Sequence, residues 1–112
     1  MDLTITRGDT KMFAFKRFNA NHETILEKAD AIYFTVKKPS LPKDYIFQKT
    51  IDDMLFDDNG VYHFQVEPSD TDGIRFGKYR YDIQVVDEGT KTTIANGYFI
   101  VKEEVTFAEN EG

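Results

Sequence analysis

Gly77-Lys78-Tyr79-Arg80-Tyr81-Asp82-Ile83-Gln84-Val85 alternates, residue by residue, between large apolar or aromatic side chains and charged or polar ones. Successive side chains of an extended chain point to opposite faces, so Tyr79, Tyr81, Ile83 and Val85 form one buried face and the other face meets water. A helix would scatter the same residues around its axis. Gly77 opens this strand, which runs over 78–87 until Glu88-Gly89 turns the chain.

The same period continues in both directions. Upstream, Val61 to Val66 turns Tyr62, Phe64 and Val66 inward, and it follows Asp57-Asp58-Asn59-Gly60, a hairpin-type turn whose Asn-Gly pair tolerates positive φ. Tyr45 to Ile51 is a further strand. Ala31 to Lys38 sets Ile32, Phe34 and Val36 against Ala31, Tyr33 and Thr35, and Pro39 with Pro42 closes it. Lys11 to Phe18 puts Phe13 and Phe15 on one face and Met12, Ala14 and Phe18 on the other, after a short first strand carrying Leu3 and Ile5. Downstream, Lys91 to Val101 splits its apolar residues between two parities, which a bulge near Gly97 would reconcile. Between Pro68 and Gly77 the run Ser69-Asp70-Thr71-Asp72 has capping-box spacing, which predicts one short helical turn with Ser69 as cap and Asp72 answering it.

A chain of 112 residues has room for one core, and 14% aromatic content supplies the apolar area to build it. One domain is expected over 1–101, followed by an acidic tail at 102–112. The net charge of −6 argues against a domain whose main task is to hold a phosphate backbone, because that affinity comes from Lys and Arg displacing counterions. The absence of cysteine removes disulfides, thiolate nucleophiles and cysteine-based zinc sites, and fits folding in a reducing cytosol. The N-terminus has no basic region followed by an apolar stretch, and the run Ala31 to Val36 is too short to span a bilayer, so neither a secretory route nor a membrane is expected.

Seven short strands separated by turn signals are the pattern of an all-β, immunoglobulin-like antiparallel sandwich with one short helical turn. Tyr79, just after a helical connection, occupies the place of that fold's corner tyrosine, whose hydroxyl bonds back to backbone in Ser69 to Phe76; the plainer reading is an inward-facing aromatic. Nothing in the pattern demands a partner for the hydroxyl of Tyr81. Antibody domains carry cysteine at the place of Tyr81 and a core tryptophan, and this chain has neither.

Across roughly residues 3–101 the chain resembles N-terminal domains of phage tail and baseplate proteins of the upper-baseplate-protein type, from phages and prophages of Gram-positive bacteria. The resemblance lies in Ile5-Thr6-Arg7-Gly8-Asp9-Thr10, in Lys28 through Lys38, and most strongly in Gly60-Val61-Tyr62-His63-Phe64-Gln65-Val66-Glu67-Pro68-Ser69-Asp70-Thr71 and 77–85. Gly60, Pro68, Ser69, Gly77 and Tyr79 are its structural carriers. It implies a non-enzymatic virion component that docks onto other tail or baseplate proteins, located in the tail and in the host cytoplasm before assembly, with self-association left open. Larger members continue into coiled coils or receptor-binding heads, whereas this chain runs eleven residues past its last expected strand, which favours a small connector or decoration subunit.

Candidate chemistry is sparse. His22 and His63 lie on different elements, with His63 alternating outward, and Ser40 and Ser69 lack a triad context, so no catalytic residue is assigned. Asp52-Asp53 and Asp57-Asp58-Asn59 offer oxygen ligands without calcium-loop spacing, so no metal or cofactor is expected. Arg7-Gly8-Asp9 spells an adhesion tripeptide, which a glycine turn also explains. The one locally basic and aromatic stretch, Lys37, Lys38, Lys43 and Lys49 around Tyr45 and Phe47, is the candidate interaction site; lysines guarding an edge hairpin are the plainer account. Other functions compatible with the sequence are a small phage protein that binds and inhibits a bacterial host factor, separable by gene neighbourhood, and a carbohydrate-binding module, separable by a glycan array.

Overall fold

Eight strands and two short helical turns are formed by the described residues. The computed structural model describes residues 1–38 and 41–103, the side chains of 41–44 excepted. The strands are β1 (Leu3–Thr6), β2 (Lys11–Lys16), β3 (Ala31–Lys38), β4 (Leu41–Thr50), β5 (Leu55–Phe56), β6 (Val61–Val66), β7 (Gly77–Asp87) and β8 (Thr90–Lys102). A 3-10 turn spans Ile51–Asp53, and the helical turn α1 spans Pro68–Thr71. The acidic tail expected from 102 onward lies outside the described residues beyond Glu103, and Lys102 is still part of β8.

The strands form two sheets, one ordered β1-β8-β7-β3-β4 and one ordered β2-β6-β5. With β2, β6 and β5 in one layer, β3, β7 and β8 in the other, and β4 added beside β3, the layering is that of an immunoglobulin sandwich. One pairing departs from the antiparallel expectation, because β1 runs parallel to β8 with Ile5 opposite Val101. The two-residue β5 was not expected; it is too short to display an alternation, and it exists by pairing with His63 and Tyr62 of β6.

Every inward parity read from the alternation is buried: Ile32, Phe34 and Val36 from β3, Tyr62, Phe64 and Val66 from β6, and Tyr79, Tyr81, Ile83 and Val85 from β7. Phe34 is the hub. Its ring centroid lies 4.6 Å from Phe64, 5.6 Å from Tyr81, 6.1 Å from Phe47 and 6.2 Å from Phe99. Aromatic pairs at such separations add about 0.5–1.5 kcal/mol each beyond their buried area. At one end Arg17 ties the layers together, donating to the Glu27 carbonyl at 2.7 Å and to the Asp87 carboxylate at 3.3 Å.

Register shifts in β8 and in β4 correct the simple alternation. In β8 the extra residue is Ile94, since Ile83 faces Ala95 and Gln84 already faces Thr93; the bulge is not at Gly97. Gly97 is small for another reason, because a Cβ there would collide with the Met1 carbonyl as the N-terminal segment crosses β8. In β4 the extra residue is Ile46, since Val36 faces Phe47 and Lys37 faces Tyr45. Tyr45 and Phe47 share a parity and would share a face in a regular strand. The bulge turns Phe47 into the core at 8% exposure and leaves Tyr45 outside at 59%.

The corner and the turns fix the connections. The Tyr79 hydroxyl donates to the Arg75 carbonyl at 2.5 Å, inside the segment where a corner bond is expected. Tyr81, read as needing no partner, donates to the Met1 carbonyl at 2.6 Å and so pins the N-terminal segment. Its partner is distant in sequence, which is why alternation alone does not reveal it. In α1 the cap is Glu67 and not Ser69: Pro68 holds the first helical φ, which moves the boundary back two residues, and the Glu67 N–H donates to the Asp70 carboxylate at 2.8 Å. Ser69 lies within the turn and Asp72 closes it. Gly60 has φ +79°, and an added Cβ would lie 2.7 Å from Thr24 Cγ2 and 2.8 Å from the Ile25 carbonyl, so both backbone and space require glycine. Gly77 opens β7 opposite Val101 with φ +150°.

Candidate interaction face

The outward parity of the five-stranded sheet is the most distinctive surface of the domain. Strand register sorts it into rows running across the sheet, with neighbours about 4.8 Å apart and rows about 7 Å apart. One row is Tyr45, Lys37, Arg80, Tyr98, taken from β4, β3, β7 and β8 in spatial order. The next is Gln48, Thr35, Asp82, Asn96, and the one after it is Thr50, Tyr33, Gln84, Thr93. Lys78 flanks the first row on β7, and Lys91 lies at the far end beside Val86.

Local chemistry holds these side chains in place. Tyr98 carries two cations over its ring, with Lys78 Nζ 5.4 Å and Arg80 Cζ 5.5 Å from the centroid. The backbone N–H of Tyr98 donates to Asp2 Oδ1 at 3.1 Å, which fixes the strand beneath it. In the second row Gln48 Nε2 donates to Thr35 Oγ1 at 3.0 Å. A shallow depression of about 410 Å³ lies over the two rows, lined by Thr35, Lys37, Lys38, Arg80, Asp82 and Asn96.

Lys37 and Arg80 face each other directly across the β3–β7 pair. Like charges so placed destabilise a sheet, and the ordinary remedy is an intervening carboxylate. Among the described residues Lys37, Arg80, Lys78, Lys91 and Asp82 enter no ion pair; the three pairs found are Arg17–Asp87, Lys49–Asp70 and His63–Asp57. The result is a cationic, tyrosine-edged row on a chain of net charge −6.

The candidate stretch from the sequence is thus only partly brought together. Lys37 and Tyr45 are cross-strand partners in the row, and Lys38 is exposed at its border. The side chain of Lys43 lies outside the described residues. Phe47 belongs to the core, and Lys49, on its parity, bonds Asp70 of α1 at 2.7 Å, with both side chains about 15% exposed. Tyr98, Arg80 and Lys78 were not singled out because their chain distance from Lys37 hides the neighbourhood that register creates. The signal for Lys78 and Arg80 was present in the outward parity of the very strand that decides the fold.

The remaining candidates serve the scaffold. His63, expected to point freely outward, is half-buried and places Nε2 3.0 Å from Asp57 Oδ2. That bond, followed by the Val61 N–H, holds the Asp57 carboxyl below its ordinary value. Asp57 Oδ1 also accepts the Asn59 and Val61 N–H groups, closing the turn before β6. His22 sits in a turn with φ 63°, and Ser40 lies outside the described residues. Asp53 accepts the Thr50 N–H at 2.8 Å. Arg7 donates to the Ile74 carbonyl and the Gly8 N–H to Thr71 Oγ1, both at 3.2 Å, so the tripeptide is tied to the α1 connection. Among the described residues no three His, Asp or Glu side chains converge as metal ligands, and no helix is long and apolar enough to cross a membrane. No protein-family model and no curated protein matches this chain.

Proposed function

We propose that this domain is a non-enzymatic docking module of a phage tail or baseplate, joined to a neighbouring protein through the outer face of its five-stranded sheet. The observation that carries the docking role is the Tyr45-Lys37-Arg80-Tyr98 row. Tyrosine and arginine are the residues that dominate binding energy at protein interfaces, since they bring large contact area and directional bonds at low entropic cost. Their strand positions make the row rigid before any partner arrives, which lowers the ordering cost of association. The tail or baseplate setting rests on the sequence resemblance carried by 60–71 and 77–85.

Mass spectrometry of purified particles tests the setting: the chain is expected among virion proteins, and its absence from particles in cells that express it would refute the assignment. Cross-linking within those particles tests the surface. Cross-links to a second protein are expected from Lys37, Lys78 and Lys91, and cross-links confined to lysines elsewhere would move the docking site off this face.

A further inference from the structure

Within that docking reading, on which the inference rests, we propose that the partner presents an acidic protein segment whose carboxylates seat between Lys37 and Arg80. Three features of the row point to this chemistry. First, Lys37 and Arg80 are directly opposed with no described carboxylate between them, an arrangement that costs stability until an anion arrives. Second, the guanidinium of Arg80 is a planar fork suited to a carboxylate, and its stacking over Tyr98 at 5.5 Å limits its rotamers beforehand. Third, tyrosines bound the row on both sides, at Tyr45 and Tyr98, giving a partner apolar contact area beside the charges.

The spacing of charge distinguishes a protein from a polyanion. Nucleic acid presents charges continuously along its backbone, and holding it takes a track of cations. Here the cations concentrate in and beside one row, and the next row places Asp82 directly beside Thr35 and opposite Asn96, where a continuous polyanion would be repelled. Discrete carboxylates on a strand or loop meet the row and avoid Asp82. The overall charge of −6 raises the same barrier to nucleic acid at long range.

The test uses fluorescence anisotropy of the full chain with a labelled poly-glutamate peptide, a matched poly-glutamine peptide and an oligothymidylate, at low and at physiological salt, with parent, Arg80→Gln and Lys37→Gln. The parent is expected to bind poly-glutamate alone, with affinity falling as salt rises, and each variant to bind about tenfold or more weakly. Urea unfolding separates binding from folding: both variants are expected to unfold at the parent midpoint or above it, because the like-charge contact is relieved. Comparable binding to oligothymidylate would overturn the inference in favour of a general polyanion surface. Loss of stability in both variants would overturn it by making the cation pair structural. No binding to poly-glutamate by the parent would overturn the acidic partner and leave the docking face to the particle cross-links.

Discussion

Replacing Tyr79 by Phe isolates one atom of the corner. The ring keeps its place in the core, and the 2.5 Å bond from its hydroxyl to the Arg75 carbonyl is lost. That carbonyl has no other partner among the described bonds and the bond is partly buried, so the variant loses a bond and leaves an acceptor that water must reach, costing about 1–3 kcal/mol. At a urea slope of about 1–3 kcal/mol per molar, a loss near the middle of that range lowers the unfolding midpoint by about 1 M with unchanged slope. Tyr81→Phe is the internal control. Its hydroxyl bonds the Met1 carbonyl at 2.6 Å, and Met1 is itself exposed, so the acceptor reaches water by a small shift of the segment. Its loss is therefore expected at about 0.5–1.5 kcal/mol, the net value of a bond whose acceptor is resolvated. Urea titration of both variants beside the parent, followed by circular dichroism, gives the comparison. A Tyr79→Phe midpoint equal to the parent's would refute the argument that the corner bond contributes to stability.

The other predictions probe the turns, the bulge and the titrating pair. Gly60→Ala is expected to destabilise by more than about 2 kcal/mol, since it combines positive φ with contacts under 3 Å to Thr24 and Ile25; thermal unfolding reads it, and a neutral result would mean that the 24–26 loop yields freely. Phe47→Ala is expected to cost about 3–5 kcal/mol, whereas Tyr45→Ala should stay within about 0.5 kcal/mol; equal losses would contradict the bulge at Ile46. Asp57 has its folded pKa depressed below the ordinary 3.8, so its contribution is present above that value and is lost as pH falls through the folded value. Asp57→Asn should remove the part of the acid unfolding curve that lies in this window, and an unchanged curve would place the acid sensitivity in other carboxylates.

What the sequence disclosed and what it hid divide along a physical line. Alternation is a local property, so the buried faces of β3, β6 and β7 were legible from their own residues. The corner was legible because Tyr79 and Arg75 lie within one connection. The fates of Tyr45 and Phe47 were not, because a bulge inserts its extra residue without changing composition, and parity then misleads. Nor was the cationic row legible. Lys37 and Arg80 meet only through the β3–β7 register, and Tyr98 joins them through β8, so the neighbourhood comes from pairing and not from sequence spacing. His63 does lie on the outward parity of β6; what alternation left out is its carboxylate partner, which arrives from the turn just before the strand.

The position of the Ile46 bulge has a consequence for how such a domain can diversify. β4 is the edge of its sheet, bonded on one side only, so a change in its length disturbs no strand beyond β3. Adding one residue between Tyr45 and Ile46 would place the newcomer opposite Lys37 and turn Tyr45 to the other face, withdrawing an aromatic side chain from the outer surface while β3, β7 and β8 kept their pairing. A single codon at that place therefore acts as a selector of what the sheet displays. Descendants of one scaffold can alter the displayed face there by insertion, in an edge strand that already includes Pro42, without renegotiating the aromatic core around Phe34.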